Sequence, residues 1–359
     1  MAAAPALPDG WTAGTPDGAP DGAPDAQSLA GDVAHLTELL RRHEHAARGW
    51  ATATDADVRM ELAAGDRSTR RNLVIRDRDG GVRGWGSTHD RAAGRMLLVV
   101  VVDPGLCEDA ADRVSDALFG WGLDVAVEVG QNRRVAVQQL DSGAFAADHR
   151  QHRWLELHGF TKARTWWQMS RPVTPEEADL SPGTRDGVRI RLVERGEDGA
   201  PEEEDLRTIH DVLETSFADH FNSHEETFDE FVSRLREDPG HRWDHWWIAE
   251  LIDVEGDPVP AGALVGSVSM GTPGSPNGSY VEYIGVLQNA RGRGVATSLL
   301  RTVIADAAQR HRDRVGLEVD ADSPTKAEAL YTAMGWRTAY VTESWHRNVH
   351  ISSTPGEQR

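Results

Sequence analysis

The sequence predicts an α+β protein of mixed α/β character, built as two units of similar plan. Three observations carry that expectation. A length of 359 residues suggests two domains at roughly 150 residues each. Strand-length apolar runs and helix-length amphipathic runs follow one another in the same order in both halves. An ungapped match also links Gly159-Phe-Thr-Lys-Ala163 and Arg171-Pro-Val173 to Gly335-Trp-Arg-Thr-Ala339 and Arg347-Asn-Val349, each pair 176 positions apart.

Residues 1–25 carry a Pro-Asp-Gly-Ala repeat with too little apolar surface to offset its ordering entropy, and read as a disordered tail. The first unit, 26–173, opens with a helix in which Val33, Leu36, Leu39 and Leu40 recur at helical spacing. Strands are expected at 72–76, 82–87 and 96–102, a helix at 114–121, a strand at 123–129, a helix at 142–158 and a strand at 165–169. The polar stretch 174–186 reads as a linker. The second unit, 187–352, repeats the plan: a strand at 188–192, helices at 203–217 and 227–235, and strands at 246–252, 263–270 and 280–287. Its longest helix carries Val295, Leu299, Leu300, Val303, Ile304 and Ala307 as one apolar stripe. A strand at 315–319, a helix at 324–334, a strand near 340–345 and a short tail, 353–359, complete it.

Composition excludes several function classes. The 38 Lys+Arg against 58 Asp+Glu give a net charge of −20, which opposes binding to a phosphate backbone, so no nucleic-acid partner is expected. No apolar run approaches a membrane span and no basic-then-apolar leader opens the chain, so neither membrane nor secretion is expected and a cytoplasmic location is. Cys107 is the single cysteine, which removes any intrachain disulfide or multi-Cys metal centre.

The strongest chemical signal is Val286-Leu-Gln-Asn-Ala-Arg291-Gly-Arg-Gly294-Val-Ala296, leading from a strand into a helix. Amides at a helix start lack internal acceptors, and the helix dipole favours an anion there. Gly292 and Gly294 let the backbone approach closely, and Arg291 and Arg293 add positive charge. Together they describe a pyrophosphate cradle. A dinucleotide fingerprint wants a third glycine where Thr297 stands, and a P-loop wants Gly-Lys-Ser/Thr, so neither is favoured.

The R-x-x-G-x-A turn resembles motif A of the GNAT N-acetyltransferase superfamily, which binds the pyrophosphate of acetyl-CoA. Ala327-Glu-Ala-Leu330-Tyr331-Thr-Ala-Met-Gly335-Trp336 is similar to that family's A-x-x-L-Y-x-x-x-G-F segment. Val319-Asp-Ala-Asp322-Ser-Pro-Thr325 is similar to a stretch of tandem-domain actinobacterial members, with Ser323 where Asn is usual. Phe217-Ala-Asp-His220 resembles the same proteins, and the tandem plan is similar to that of mycothiol synthases. The resemblance implies two tandem GNAT domains, each a mixed, mostly antiparallel sheet flanked by helices.

It further implies an acetyl-CoA-dependent acyltransferase acting by direct attack of a small-molecule primary amine. The pantetheine arm would lie along Ile284, Gly285 and Val286, and the phosphates on Arg291, Gly292, Arg293, Gly294, Val295, Ala296 and Thr297, with Ser323 and Tyr331 nearby. Tyr331 matches the family tyrosine that protonates the departing thiolate. Glu282 stands where many members carry a carboxylate base; strand alternation places it on one face with Ile284 and Val286 unless a bulge intervenes. Asp219, His220 and His224 fall in the segment that lines the acceptor side, and the acidic Asp219, Glu225, Glu226 and Asp229 suit a cationic acceptor as well as they suit a solvated helix face. His220 and His224 also have metal-ligand spacing, but no third ligand is evident and no metal is expected.

The first unit reads as a degenerate copy. Counted without gaps from Val102 as the equivalent of Val286, Glu108, Asp109 and Asp112 replace Gly292, Arg293 and Ala296 and would repel a pyrophosphate. Tyr331 corresponds there to Leu155. Mycothiol-synthase-like and antibiotic-modifying acetylation remain open as alternatives, as does a non-catalytic acyl-CoA-binding module. Either a monomer or a homodimer is compatible with the sequence.

Overall fold

The computed structural model describes residues 6–16, 26–62, 69–91, 94–197, 199–218, 227–236, 241–271, 274–323 and 327–351. The chain divides into two compact units, Met1–Trp166 with Tyr340–Arg359, and Trp167–Ala339. The expectation of a break at 174–186 differs from this division, because the chain changes units inside two strands.

In unit 1 the strand order is β1 (Thr12–Gly14), β2 (Arg70–Arg76), β3 (Val82–Asp90), β4 (Arg95–Val102), β5 (Val137–Phe145) and β12 (Arg337–His350), the last from Tyr340 onward. All pairs are antiparallel except β4–β5. Helices α1 (Ala26–Arg48) and α2 (Asp55–Leu62) bury Val33, Leu36, Leu39 and Val58 against Val74, Trp85 and Val101 on one face. Helices α3 (Glu108–Arg133) and α4 (His149–Leu157) cover the other, which presents Ile75, Leu98, Val100 and Val102. The alternation of Val100 and Val101 between the two cores is the two-residue period of a strand buried on both faces.

Three expectations are corrected here. The strand expected at 123–129 is helix, part of α3: Leu118, Phe119, Gly122, Val125, Ala126 and Val129 continue one buried stripe at helical spacing, which outweighs the local alternation of Leu-Asp-Val-Ala-Val-Glu-Val. The helix expected at 142–158 is β5 followed by α4; Gln138 and Ser142 are buried in that strand, so its inward face is partly polar and hides its period. The 1–25 tail is ordered in part, since Leu7 and Trp11 pack on the core and β1 pairs with β2.

Unit 2 repeats the plan with β6 (Thr161–Pro172, from Trp167), β11 (Arg314–Asp320), β10 (Gly278–Val286), β9 (Pro258–Ser269), β8 (His241–Ile252) and β7 (Val188–Leu192) in that order. Its β10–β11 pair is parallel, while β7–β8, β8–β9 and β9–β10 are antiparallel. Helices α5 (Glu203–Phe217) and α6 (Phe228–Arg236) pack on one face through Ile209, Val212, Leu213 and Phe231. Helices α7 (Val295–Gln309) and α8 (Ala327–Ala333) pack on the other through Val295, Leu299, Leu300, Val303 and Tyr331. Trp246 and Trp247 are core residues on opposite faces of the sheet, and Trp243 packs against Trp246 with ring centres 4.9 Å apart. The expected linker is part of unit 2: a 3-10 turn at Pro175–Asp179 is held by Arg171 on Glu177, and Leu180 packs on the core. No helix among the described residues is long and apolar enough to cross a membrane.

Candidate active site

The site in unit 2 forms where β10 and β11 part. Their ladder registers Ser279 with Val315, Tyr280 with Gly316 and Val281 with Leu317, and goes no further. On its other side β10 stays paired to β9 through Val286 opposite Gly262. Ile284, Gly285 and Val286 therefore keep one backbone edge turned toward the fork. The side chains of Ile284 and Val286 pack on the α7 side. A Cβ on Gly285 would lie 3.0 Å from Ser216 and 3.1 Å from Leu213 of α5, so only glycine lets α5 lie this close.

Glu282 sits at a β-bulge, where the β9–β10 register shifts between Val281 and Tyr283. The bulge corrects the face expected for it. Its Oε1 accepts from Ser267 Oγ at 2.5 Å, and Tyr283 packs in the α5-side core with Val265. Glu282 thus faces α5, opposite Ile284 and Val286, because the extra residue puts two consecutive side chains on one face.

Beyond Val286, a 3-10 turn at Gln288–Ala290 leads to Arg291, Gly292 and Arg293. Gly294 is the N-cap of α7 at φ +81°, and Gly292 stands at φ +77° with nothing within 4 Å of where a Cβ would be. Both conformations favour glycine. The first-turn amides of α7, from Val295, Ala296 and Thr297, have no intrahelical acceptor and point outward. Residues of this kind fit a pyrophosphate: open backbone, an oriented helix start and flanking arginines. A third arginine, Arg185, was hidden from sequence reasoning in the presumed linker. Its Nη1 donates to the Gly292 carbonyl at 2.7 Å, and Arg185 Nε lies 3.4 Å from the Cβ position of Gly294.

Tyr331 lies on α8 in the α7-side core, 7% exposed and edge-on to Trp336 with ring centres 6.2 Å apart. Burial pushes its phenol up to about 12. Ser323 follows β11 in a turn closed by its amide on the Asp320 carbonyl at 3.1 Å. Asp219, His220 and His224 lie outside the described residues, as do Glu225 and Glu226. Asp229 is exposed in the first turn of α6.

A residue that sequence reasoning missed completes the α5 face. Glu318, one position past the last β10–β11 pair, accepts a short hydrogen bond from Gln168 Nε2. Gln168 Oε1 in turn accepts from the Tyr280 hydroxyl at 3.4 Å. Gly316 admits the Tyr280 ring, since a Cβ there would meet it at 3.0 Å. Glu318 is open to solvent yet flanked by protein; burial raises its carboxyl pKa, Gln168 opposes the rise and Asp320 adds to it. The available signal was strand alternation, which sets Glu318 opposite the inward Leu317 and Val319.

Unit 1 has the same fork without these features. Its β4–β5 ladder stops at Leu97 and Asp141. Gln151 Nε2 then bridges the opening, donating to the carbonyls of Val100 at 3.2 Å and Gly143 at 3.1 Å. Ser142 Oγ donates to the Leu98 carbonyl at 2.8 Å. The helix after β4 begins with Cys107 as N-cap, five positions past Val102, whereas Gly294 is eight past Val286. The ungapped count from Val102 is therefore corrected: the loop is three residues shorter, and Glu108 and Asp109 occupy the first helical turn itself. Asp112 is engaged by Arg153 at 2.6 Å and by Trp154 at 2.7 Å.

Comparison with known proteins agrees with this geometry. Residues 207–336 match the sequence profile of the acetyltransferase (GNAT) family. A mycothiol acetyltransferase of Thermobispora bispora is 30% identical over 196 residues, covering 53% of this chain and 59% of the relative. One of Stackebrandtia nassauensis is 28% identical over 197 residues, covering 54% and 58%. The chain thus spans less than two-thirds of the length of the curated relatives it matches. A GCN5-related N-acetyltransferase from Sphaerobacter thermophilus has the same fold, with TM-score 0.71, 21% identity and coverage of 97% of this chain and 98% of that one. A tandem GNAT protein from the clavulanic acid biosynthesis pathway gives TM-score 0.65, 15% identity and coverage of 89% and 96%. Residues 207–336 are thus similar to the acetyltransferase (GNAT) family, and the chain shares the fold of these two solved structures.

Proposed function

We propose that unit 2 transfers an acetyl group from acetyl-CoA to a primary amine of a small molecule, by direct attack and without an acyl-enzyme. The observation that carries this reading is the fork between β10 and β11 opening beside the glycine-capped start of α7. Arg185, Arg291, Arg293 and the first-turn amides of α7 would hold the phosphates. The free edge of Ile284–Val286 would hold the pantetheine arm.

The two sheet faces divide the chemistry. Tyr331 approaches from the α7 side and keeps its proton throughout the neutral range. A phenol at about 12 is a weaker acid than a thiol near 8.5, so its contribution is a hydrogen bond to the departing sulfur rather than outright protonation. The acceptor approaches from the α5 side, where Glu282 and Glu318 flank the mouth of the fork. The shared name of the two curated relatives supports a mycothiol-type acceptor, an amino-thiol sugar conjugate, as the second reading within the same chemistry.

The test is acetyl-CoA-dependent amide formation by the full chain against a panel of primary amines, with Gly294→Glu as control. Activity lost together with acetyl-CoA binding in that variant supports the reading; activity that survives it places the chemistry elsewhere.

A further inference from the structure

We propose that Glu318 is the group that receives the acceptor's ammonium and takes its proton, so that the acceptor of this site is a cationic amine. The inference rests on the acetyl-transfer reading of unit 2. Glu318 stands at the first position of β11 beyond the last ladder pair, on the strand that bounds the fork opposite Ile284–Val286. Its side chain shares the α5 face with Gln168, Tyr280 and the bulged Glu282, while Leu317 and Val319 beside it point into the α7-side core. The face is therefore opposite that of Tyr331. An amine attacking from one side and a thiolate leaving on the other is the geometry of addition and elimination at a carbonyl held in the fork.

Glu318 is also oriented. Gln168 donates to its Oε2 and is itself held by the Tyr280 hydroxyl, which leaves Oε1 to a ligand. No cationic side chain is paired with Glu318 among the described residues, and its carboxyl is open to solvent. The charged group acting on it is Asp320 on its own strand, which is acidic, and Glu282 lies on the same sheet face. An accessible carboxylate beside another carboxylate, held by a neutral amide, is built to take a cation. Burial raises its pKa, which suits a base working nearer neutrality than a free glutamate does.

Glu318 takes one proton from the ammonium, and the freed lone pair forms the C–N bond to the acetyl carbonyl carbon. The C–S bond breaks with its electron pair on sulfur. The nitrogen's second proton ends on that sulfur as the CoA thiol, and Glu318 returns its own to solvent.

The experiment compares wild type, Glu318→Gln and Glu318→Asp, with spermidine and glucosamine as cationic probes and 4-aminobenzoate as an anionic one. Acetyl-CoA binding is measured by calorimetry on the same samples. The expected result is unchanged acetyl-CoA affinity in Glu318→Gln and a loss of roughly 100-fold in kcat/KM for the cationic probes. The residual rate should climb with pH as free amine accumulates, and Glu318→Asp should recover part of the loss. A Glu318→Gln enzyme with the wild-type pH profile, or a wild type that prefers 4-aminobenzoate, overturns the inference while leaving acetyl transfer standing. A wild type that fails to bind acetyl-CoA, or that acetylates none of the probes, overturns both.

Discussion

Arg171 donates its Nε–H to the carbonyl of Met334 at 2.8 Å, and 176 positions further along Arg347 donates to the carbonyl of His158. The same bond is made twice, once in each unit, between a strand and the end of a helix. The flanking backbone repeats with it: Phe160 N–H donates to Leu155 at 2.9 Å, and Trp336 N–H to Tyr331 at 3.0 Å. Gly159 and Gly335 both turn at positive φ, +74° and +96°. These paired contacts make the duplication a physical one and place Leu155 at the position of Tyr331. Arg171→Ala also strips Glu177 of a partner at 2.5 Å, so a loss of about 2–3 kcal/mol in unfolding free energy is expected by denaturant titration. Arg347→Ala removes a single carbonyl contact and should cost about 1 kcal/mol.

Tyr331→Phe tests the α7 side of the site. Acetyl-CoA affinity should hold while kcat falls by roughly 100-fold, read by steady-state kinetics beside calorimetry.

The same phenol carries a stability signature. Burial raises its pKa from 10.0 to about 12, so the folded chain holds that proton more tightly than the unfolded one. The contribution is fully present below pH 10 and is lost as pH rises through about 12, a fall of up to about 2–3 kcal/mol. Denaturant titrations at pH 9 and 12 should show a smaller drop in Tyr331→Phe than in wild type.

Asp244 contributes to the acid limb in the opposite sense. Burial pushes its carboxyl up, but Arg310 at 2.8 Å and His245 at 2.6 Å outweigh burial and hold it at about 2. Its contribution is present above pH 3.8 and is lost as pH falls through about 2, up to about 2 kcal/mol. Arg310→Ala should flatten that part of the pH–stability curve.

In unit 1, installing the missing tyrosine should not create a second site. Leu155→Tyr leaves Gln151 across the fork, bonded to Val100 and Gly143, and leaves Glu108 and Asp109 at the helix start. A chain carrying Leu155→Tyr together with Gly294→Glu is expected to be inactive in the amine assay.

What the sequence made legible was what periodicity and backbone chemistry expose. The stripe of α7, the glycine turn before it and the duplicated segment after Gly159 and Gly335 all read correctly, because each is a local pattern. The units' division was hidden, because β6 and β12 each run through a change of unit without a change in composition. The face of Glu282 was hidden by one bulged residue. Arg185 and Glu318 were hidden for a different reason: their roles come from Gly292 and Gln168, which lie more than a hundred positions away in sequence.

The most direct test of the central claim, one acetyl-CoA site per chain lying in unit 2, is calorimetric titration of acetyl-CoA into the full chain, read for stoichiometry. The account predicts one site, abolished by Gly294→Glu and untouched by Gln151→Ala. Two sites, or one that survives Gly294→Glu, would contradict it.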